Sequence, residues 1–372
     1  MDFSIHTFEI TYRSNCANYY RLYKAVNHIN QSQCPQKEFS FLTPGKIKLT
    51  YISQSYVCLN QKGINRIYFY KLQDKALEHT VTYGIKFIVN PKILLGYRDY
   101  SYTEIIKSED LPLIPNALNQ LLQELVPGYP DISEQGKITR IDYCTNLWFQ
   151  STNEADEYFH ILKKYFTPAK FRIDTFYDCI CHRKSPRKGE ISLSCKSYTL
   201  SIYQKQNQLI QSTYHYPSED IENACGQLRI ELRLKRPKLY SIKNTFLIKN
   251  ECDLFIQIPP SVLTTLLKKL SVMYGTGDFF RLSEARQLIS YSQYQRKTIS
   301  SMLEILDNVN ESRTLNCYNT DYKKKTLKKQ IEKFNDLGIS PITLPSRSIH
   351  RTYPNLISYI IGETADYLKI KQ

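Results

Sequence analysis

The sequence lacks the marks of several common protein classes. No apolar run is long enough to cross a bilayer, and the opening Met1-Asp2-Phe3-Ser4 carries no charged-then-apolar leader. The ten cysteines are scattered, mostly in apolar or strand-like surroundings, and do not form the framework of a small secreted domain. The expected setting is therefore a reducing cytoplasm with no membrane partner. A Walker-type glycine-rich loop is missing, so nucleotide hydrolysis has no support. The seven histidines never form a His-hydrophobic-His pair. Cys179-Ile180-Cys181-His182 looks like a metal tract, but no second pair stands at zinc-finger spacing. No internal repeat or low-complexity tract stands out.

What the chain has is positive charge and tyrosine. Its 372 residues hold 50 Lys+Arg against 35 Asp+Glu, a formal charge of +15, together with 30 Tyr. Cations interleaved with aromatics suit phosphate contacts and base stacking. A cationic surface with no specific ligand would give the same numbers, so the weight falls on motifs. The length allows two domains and a substantial core.

Alternating patterns predict strands over 3–12, 39–42, 46–52, 65–70 and 81–89, with Thr43-Pro44-Gly45 as a turn and helices over 18–29 and 113–125. A strand over 137–149 leads to Ser151-Thr152, a helix cap before 154–166. There follow a strand over 171–176, a basic, breaker-rich loop over 182–189, one alternating strand over 191–204, a short helix over 218–224 and a strand around Glu231. This order predicts an α+β fold with an antiparallel sheet of the ferredoxin-like type. Beyond Pro237 the pattern turns helical. One helix over 251–272 is interrupted near Pro259-Pro260, and others cover 283–290, 296–309 and 321–337, with Ser283 and Ser292 as capping candidates. The expected division is a sheet domain over 1–245 and a smaller, basic, helical region over 246–372.

Two segments carry the candidate chemistry. Ile138-Thr139-Arg140-Ile141-Asp142-Tyr143 and Leu228-Arg229-Ile230-Glu231-Leu232-Arg233 each place one acid inside an alternating strand. A lone acid there is costly unless compensated. If the strands are neighbours, Asp142 and Glu231 offer hard oxygen ligands for Mg²⁺ or Mn²⁺. Alternation also puts Arg140 beside Asp142, and Arg229 and Arg233 beside Glu231, where each can bind the acid or a phosphate. In Tyr198-Thr199-Leu200-Ser201-Ile202-Tyr203-Gln204-Lys205, Tyr203 and Lys205 share a face and Tyr198 points the other way. A tyrosine near a metal can attack phosphorus while a lysine stabilises the charge; a core tyrosine is the plainer account of any one of them. The helix over 321–337 sets Leu327, Ile331, Phe334 and Leu337 on one side and a basic face, including Lys328 and Lys329, on the other. That face is either simply solvated or a DNA-backbone contact. The helices over 280–309 form a weak helix-turn-helix pattern.

With the stretches from Phe87 to Leu95, Arg140 to Leu147 and Tyr198 to Lys205, then Leu228-Arg229-Ile230-Glu231, the stretch from Gly277 to Arg286, and Leu337-Gly338-Ile339-Ser340-Pro341 in this order, the chain resembles the rolling-circle replication initiators of plasmids and filamentous phages, in particular the gene II/X-like group. The resemblance implies a Rep-type fold and metal-dependent nicking and joining of one strand at a replication origin. It maps the acidic ligands to Asp142 and Glu231, and the Tyr-x-Lys element to Tyr203 and Lys205. It implies single-stranded or cruciform origin DNA as partner, alongside host helicase and polymerase. One departure matters. The stretch before Tyr198, where such initiators carry the nucleophile, has no tyrosine; Tyr198 is the nearest substitute, then Tyr203, with Tyr177 further upstream. The alternatives are a non-enzymatic DNA-binding replication regulator derived from such an initiator, and an RNA-binding protein with the same sheet.

Overall fold

The computed structural model describes residues 3–29, 37–42, 47–54, 57–74, 81–97, 104–164, 172–173, 175–178, 183–186, 189–211, 216–258, 263, 276–315 and 321–355. The strands in chain order are β1 (Ser4–Ser14), β2 (Lys37–Leu42), β3 (Ile47–Gln54), β4 (Ile64–Asp74), β5 (Val81–Val89), β6 (Lys137–Trp148), β7 (Arg172–Ile173), β8 (Thr175–Asp178), β9 (Arg183–Pro186), β10 (Glu190–Ser194), β11 (Tyr198–Gln204) and β12 (Gln227–Lys235). All but β8 and β9, which pair with each other, join one ten-stranded sheet in the order β2-β3-β4-β5-β1-β6-β12-β11-β10-β7. Every pairing in that sheet is antiparallel. The fold is thus α+β, as expected. The first strand stands between β5 and β6, and so ties the N-terminal strands to those that carry the acids.

Period-two alternation sets the two faces of the sheet. Along β12, Leu228, Ile230, Leu232 and Leu234 are all 0% exposed, while Arg229, Glu231, Arg233 and Lys235 point the other way. Phe8, Ile10 and Tyr12 do the same for β1. Amphipathic helices cover the apolar face. Cys16–Ile29 buries Tyr19, Leu22 and Val26, and Ile114–Leu125 buries Ile114, Leu118, Leu121 and Leu122 at helical spacing. Each such side chain contributes about 1.5–3 kcal/mol on burial. The helix Thr152–Leu162 begins where the sequence places it. Ser151 Oγ accepts a hydrogen bond from Glu154 N at 3.2 Å, and Glu154 Oε2 accepts one from Gln150 N at 2.7 Å. Its Ala155, Tyr158, Phe159, Ile161 and Leu162 are all buried, because it is covered on both sides.

The second cover is a C-terminal lobe made of the helices Leu282–Ser290, Arg296–Ser312 and Asp321–Asp336 with a small sheet of β13 (Phe279–Phe280) and β14 (Thr352–Tyr353). The Tyr158 ring lies 6.0 Å from Phe279 and 5.8 Å from Tyr353, and its hydroxyl donates to Pro354 O at 3.1 Å. Leu254 and Phe255 dock on the main sheet instead: the Phe255 ring sits 4.7 Å from Phe8.

The structure departs from the sequence reading in local details. The segment 191–204 is not one strand but the hairpin β10–β11, closed by Cys195 N donating to Tyr198 O at 2.9 Å. Its turn, Cys195-Lys196-Ser197, holds no glycine or proline and so gives no breaker signal. Lys205 does not end a strand; it opens the helix Lys205–Ile210. Ser283 and Ser292 cap nothing: the N-cap positions are Arg281 and Gln295, and Ser292 Oγ donates to Ile289 O at 2.7 Å. Residues 183–186 of the basic loop are strand β9. The turn Thr43-Pro44-Gly45, the tract Cys179-Ile180-Cys181-His182 and Pro259-Pro260 lie outside the described residues, as does most of 251–272. Among the described residues, no helix is long and apolar enough to cross a membrane.

Gly226 has φ +71 and links the end of β6 to the start of β12. Its carbonyl accepts from Phe149 N at 2.8 Å, and a Cβ there would stand 2.3 Å from Phe149 O. Only glycine satisfies both demands.

Candidate functional site

The register of β6, β12 and β11 assembles the polar face in three rows. Asn146, Arg229 and Tyr203 form the first, Cys144, Glu231 and Ser201 the second, and Asp142, Arg233 and Thr199 the third. Directly opposed residues in an antiparallel pair share a face. Next door, β1 sets Thr7 opposite Asp142 and Ser4 opposite Cys144, with His6 in the irregularity between them. A bulge re-aims a side chain, and His6 is thereby brought to Glu231.

Tyr203, Glu231 and His6 meet. The Tyr203 hydroxyl donates a short hydrogen bond to Glu231 Oε1, and His6 Nε2 stands 3.7 Å from the same oxygen. Arg229, 1% exposed, donates from Nε to Asn146 Oδ1 at 3.0 Å and is also hydrogen-bonded to Tyr203. Lys205, 5% exposed, donates to Gln208 Oε1 at 2.7 Å. Burial, then the Arg229 charge, brings its ammonium down to about 7. Burial brings Lys92 down to about 8, and Arg229 adds to the effect. Burial and the charges of Arg229 and Lys205 hold His6 neutral, pushed down to about 3. The Cys144 thiol goes up to about 11 through burial and is no thiolate at neutral pH. Burial, reinforced by Glu231, pushes the Tyr203 phenol well above its ordinary value. Arg229, Lys205 and Lys92 act on one another beside Tyr203, with Glu231 as the carboxylate bound to the tyrosine and Glu104 and Asp220 opposing the charge of Lys92; the guanidinium and ammonium groups are the ones a phosphodiester would meet.

Asp142 has a different environment. It is 2% exposed, and both oxygens are engaged: Oδ2 accepts from Thr7 Oγ1 at 2.7 Å, while Oδ1 accepts from Arg233 Nε at 3.0 Å and lies 3.1 Å from Arg140 Nε. Arg140 also reaches Glu9 at 3.7 Å. The arginines flanking the acids in sequence thus serve two ends: Arg140 and Arg233 neutralise Asp142, and Arg229 faces the tyrosine. Asp142 and Glu231 share a face as diagonal neighbours, for which strand geometry gives about 7–8 Å. Among the described residues, no group of three or more His, Cys, Asp or Glu stands together as metal ligands. The residues fit a divalent cation in part. Glu231 and the neutral His6 have the right chemistry, with phosphate oxygens and water completing the shell; Asp142, saturated by two guanidiniums, does not.

The remaining candidates lie apart. Tyr198 is on the apolar face, 9% exposed, paired with Leu234; burial, then Cys195, pushes its phenol up to about 12. Lys329 is exposed on the helix Asp321–Asp336, where Leu327, Ile331 and Phe334 are buried. The side chains of Lys328 and Tyr177 lie outside the described residues. The sequence reading missed His6 and Lys92. The only signal for Lys92 was Asn90-Pro91, which reads as a strand stop; in the structure Asn90 Oδ1 caps Lys92 N at 3.1 Å and so points a short helix at the cluster. Nothing in the sequence marks the bulge that delivers His6.

No protein-family model matches the chain, and no curated protein matches it. Among solved structures it is similar to the Rolling Circle Replication Initiator Protein from Geobacillus stearothermophilus, with 11% identity over 72% of this chain and 84% of that chain, and a TM-score of 0.29. The likeness is a distant one.

Proposed function

We propose that the chain is a DNA-binding, Rep-type replication initiator that nicks and joins one strand through Tyr203, acting in the cytoplasm on origin DNA. The observation that carries this reading is the convergence of Tyr203, Glu231, His6, Arg229 and Lys205 on one sheet face. Residues 1–245 would form the nicking domain. Residues 246–372 would form a basic helical region that helps hold DNA, with Leu254 and Phe255 docked back on the first.

In the proposed reaction Arg229, Lys205 and Lys92 hold the scissile phosphodiester. Tyr203 Oη attacks phosphorus as Glu231 takes its proton, and the bond from phosphorus to the 3′ oxygen breaks. The 3′ oxygen leaves with a proton from Lys205, whose pKa of about 7 suits a general acid. The 5′ phosphate stays on Tyr203 as a diester, and the freed 3′ hydroxyl primes synthesis. Joining reverses these steps. Glu231 and His6 are the residues that would hold a Mg²⁺ or Mn²⁺ ion, and the chemistry such an ion would supply is charge neutralisation at the phosphodiester. Asp142 holds Arg140 and Arg233, which would contact the DNA backbone outside the reacting cluster.

The test is incubation with supercoiled plasmid carrying the DNA that flanks the gene, plus Mn²⁺, followed by denaturing gels and mass spectrometry. A DNA-linked peptide containing Tyr203, absent in Tyr203→Phe, is the expected result. Two observations favour a second reading: burial keeps Tyr203 protonated, and Asp142 is already saturated. A non-cleaving replication regulator would bind the origin specifically and give neither nick nor adduct.

A further inference from the structure

A second cationic feature lies apart from the tyrosine cluster. Where the helix Thr152–Leu162 ends against the C-terminal lobe, a groove of about 1010 Å³ is lined by Lys163, Lys164, Arg281, Arg286, Arg313 and Arg347, with no aspartate or glutamate among its lining residues. Four of the six, Lys163, Arg286, Arg313 and Arg347, are exposed. Lys164 and Arg281 are set deeper and fixed by carbonyls. Lys164 Nζ donates to Thr343 O at 2.9 Å, and Arg281 donates to His350 O at 3.0 Å and Ser348 O at 2.5 Å. Carbonyls orient these groups without neutralising them. Arg286 is paired with Asp307 at 2.6 Å. Arg313 holds the left-handed C-cap of its helix at φ 55, a position glycine usually takes. The Arg313 charge adds to burial in lowering the Lys164 pKa. The groove therefore collects six cations of which, among the described residues, Arg286 alone is ion-paired with a carboxylate.

We infer that this groove binds the sugar-phosphate backbone of duplex DNA, as an anchoring surface separate from the cleavage site. The inference rests on the DNA-directed reading above. Repeated anionic charge along a strand is what a groove lined by six Lys and Arg residues and no carboxylate complements. The groove has no Phe, Tyr or Trp in its lining, and its single ring, His160, does not make the row of platforms on which successive unpaired bases would stack. That favours duplex over single strand. The groove also lies behind the sheet from Tyr203. Gln204, the next residue and hence on the opposite face, donates to Asp156 of the helix whose end forms the groove.

The test measures binding to a fluorophore-labelled duplex and to a single strand of equal length, over salt from about 50 to 200 mM. It compares the full chain with K163Q/R313Q/R347Q and with a control, K24Q/K137Q/K196Q, that removes three exposed lysines outside residues 246–372. Three lost phosphate contacts should flatten the duplex slope of log K against log salt by about 2–3 and weaken duplex binding about tenfold or more, with the fold intact by circular dichroism. Cleavage of a short single-stranded oligonucleotide should stay unchanged. Equal effects of groove and control variants, or a loss confined to the single strand, would overturn the groove while leaving the nicking reading standing. Loss of duplex affinity in a protein that forms no Tyr203 adduct would do the reverse. Absence of any DNA binding by the full chain would overturn both.

Discussion

Lys205 is the residue whose replacement separates stability from function most sharply. Its ammonium is 5% exposed, and its pKa falls from 10.5 to about 7 on folding. Below pH 7 both the folded and unfolded chains carry the proton, so the full cost of the buried charge weighs on the folded state. Between pH 7 and 10.5 the unfolded chain keeps a proton that the folded one has shed, and stability rises with pH. At ~1.4 kcal/mol per pKa unit the cost below pH 7 is ~5 kcal/mol. Lys205→Met keeps the chain length and removes the charge, at the loss of one hydrogen bond to Gln208 worth ~1 kcal/mol. At pH 6 the variant should therefore be more stable than the parent by ~3–4 kcal/mol. At pH 9 the parent has recovered ~3 kcal/mol, and the gap should close to ~1 kcal/mol. Urea unfolding followed by far-ultraviolet circular dichroism at both pH values reads this difference. A variant less stable at pH 6, or a gap that does not change with pH, would refute the reasoning. The same variant should lose nicking, because the group that destabilises the fold is the one that serves the leaving oxygen. Natural proteins retain such a group where function needs it.

Nicking kcat/KM, which reports the free protein, should fall as pH rises above about 7 while Lys205 loses its proton; a rate still climbing at pH 9 would remove Lys205 as the acid. Asp142→Asn removes the carboxylate between Arg140, which keeps Glu9, and the part-exposed Arg233, and should cost about 1–2 kcal/mol in urea unfolding, whereas an unchanged midpoint would return Asp142 to the candidate ligands. Glu231→Gln should leave the fold within about 1 kcal/mol and abolish the Tyr203 adduct, read by mass spectrometry. Gly226→Ala should cost about 2 kcal/mol or more, because it meets both a left-handed φ and the Phe149 carbonyl; a thermal melt that matches the parent would show that the β6–β12 junction relaxes freely.

The pattern of β12 was fully legible: its four leucine and isoleucine positions alternate with four charged ones, and period two decides which face each takes. The same holds for the apolar stripe Leu327, Ile331 and Phe334, whereas β6 breaks its alternation between Ile138 and Ile141, where its pairing with β1 shifts register. Register was not legible. The sequence places Tyr203 and Glu231 on inward or outward faces, but only the pairing of Tyr203 with Arg229 and Ser201 with Glu231 brings the hydroxyl to the carboxylate. The split of 191–204 into two strands was hidden because Cys195-Lys196-Ser197 turns without glycine or proline. His6 was hidden because a strand irregularity breaks the period that would have assigned its face. Tyr198 shows the opposite case: alternation already set it apart from Tyr203, and the structure puts it in the core.

Asp142 and Glu231 look alike in sequence, each preceded by an arginine and an aliphatic residue, and the structure makes them unlike. The difference comes from the residue that register places beside each. Asp142 has Arg233 opposite on β12 and Thr7 on β1, so its charge is fully met within the protein. Glu231 has Cys144 and Ser201 opposite, neither of them a cation, and the arginine of its own strand one row away is turned to Asn146 and Tyr203. A carboxylate left in that position, hydrogen-bonded to a tyrosine and flanked by a neutral imidazole, is available for proton transfer. A neutral-for-charged exchange of the two environments tests this directly. Arg233→Leu should release Asp142 and destabilise the fold, with the Tyr203 adduct retained in whatever fraction stays folded. If the adduct vanishes in folded protein instead, Asp142 and its arginines belong to the chemistry, and the division of labour between the two acids is wrong.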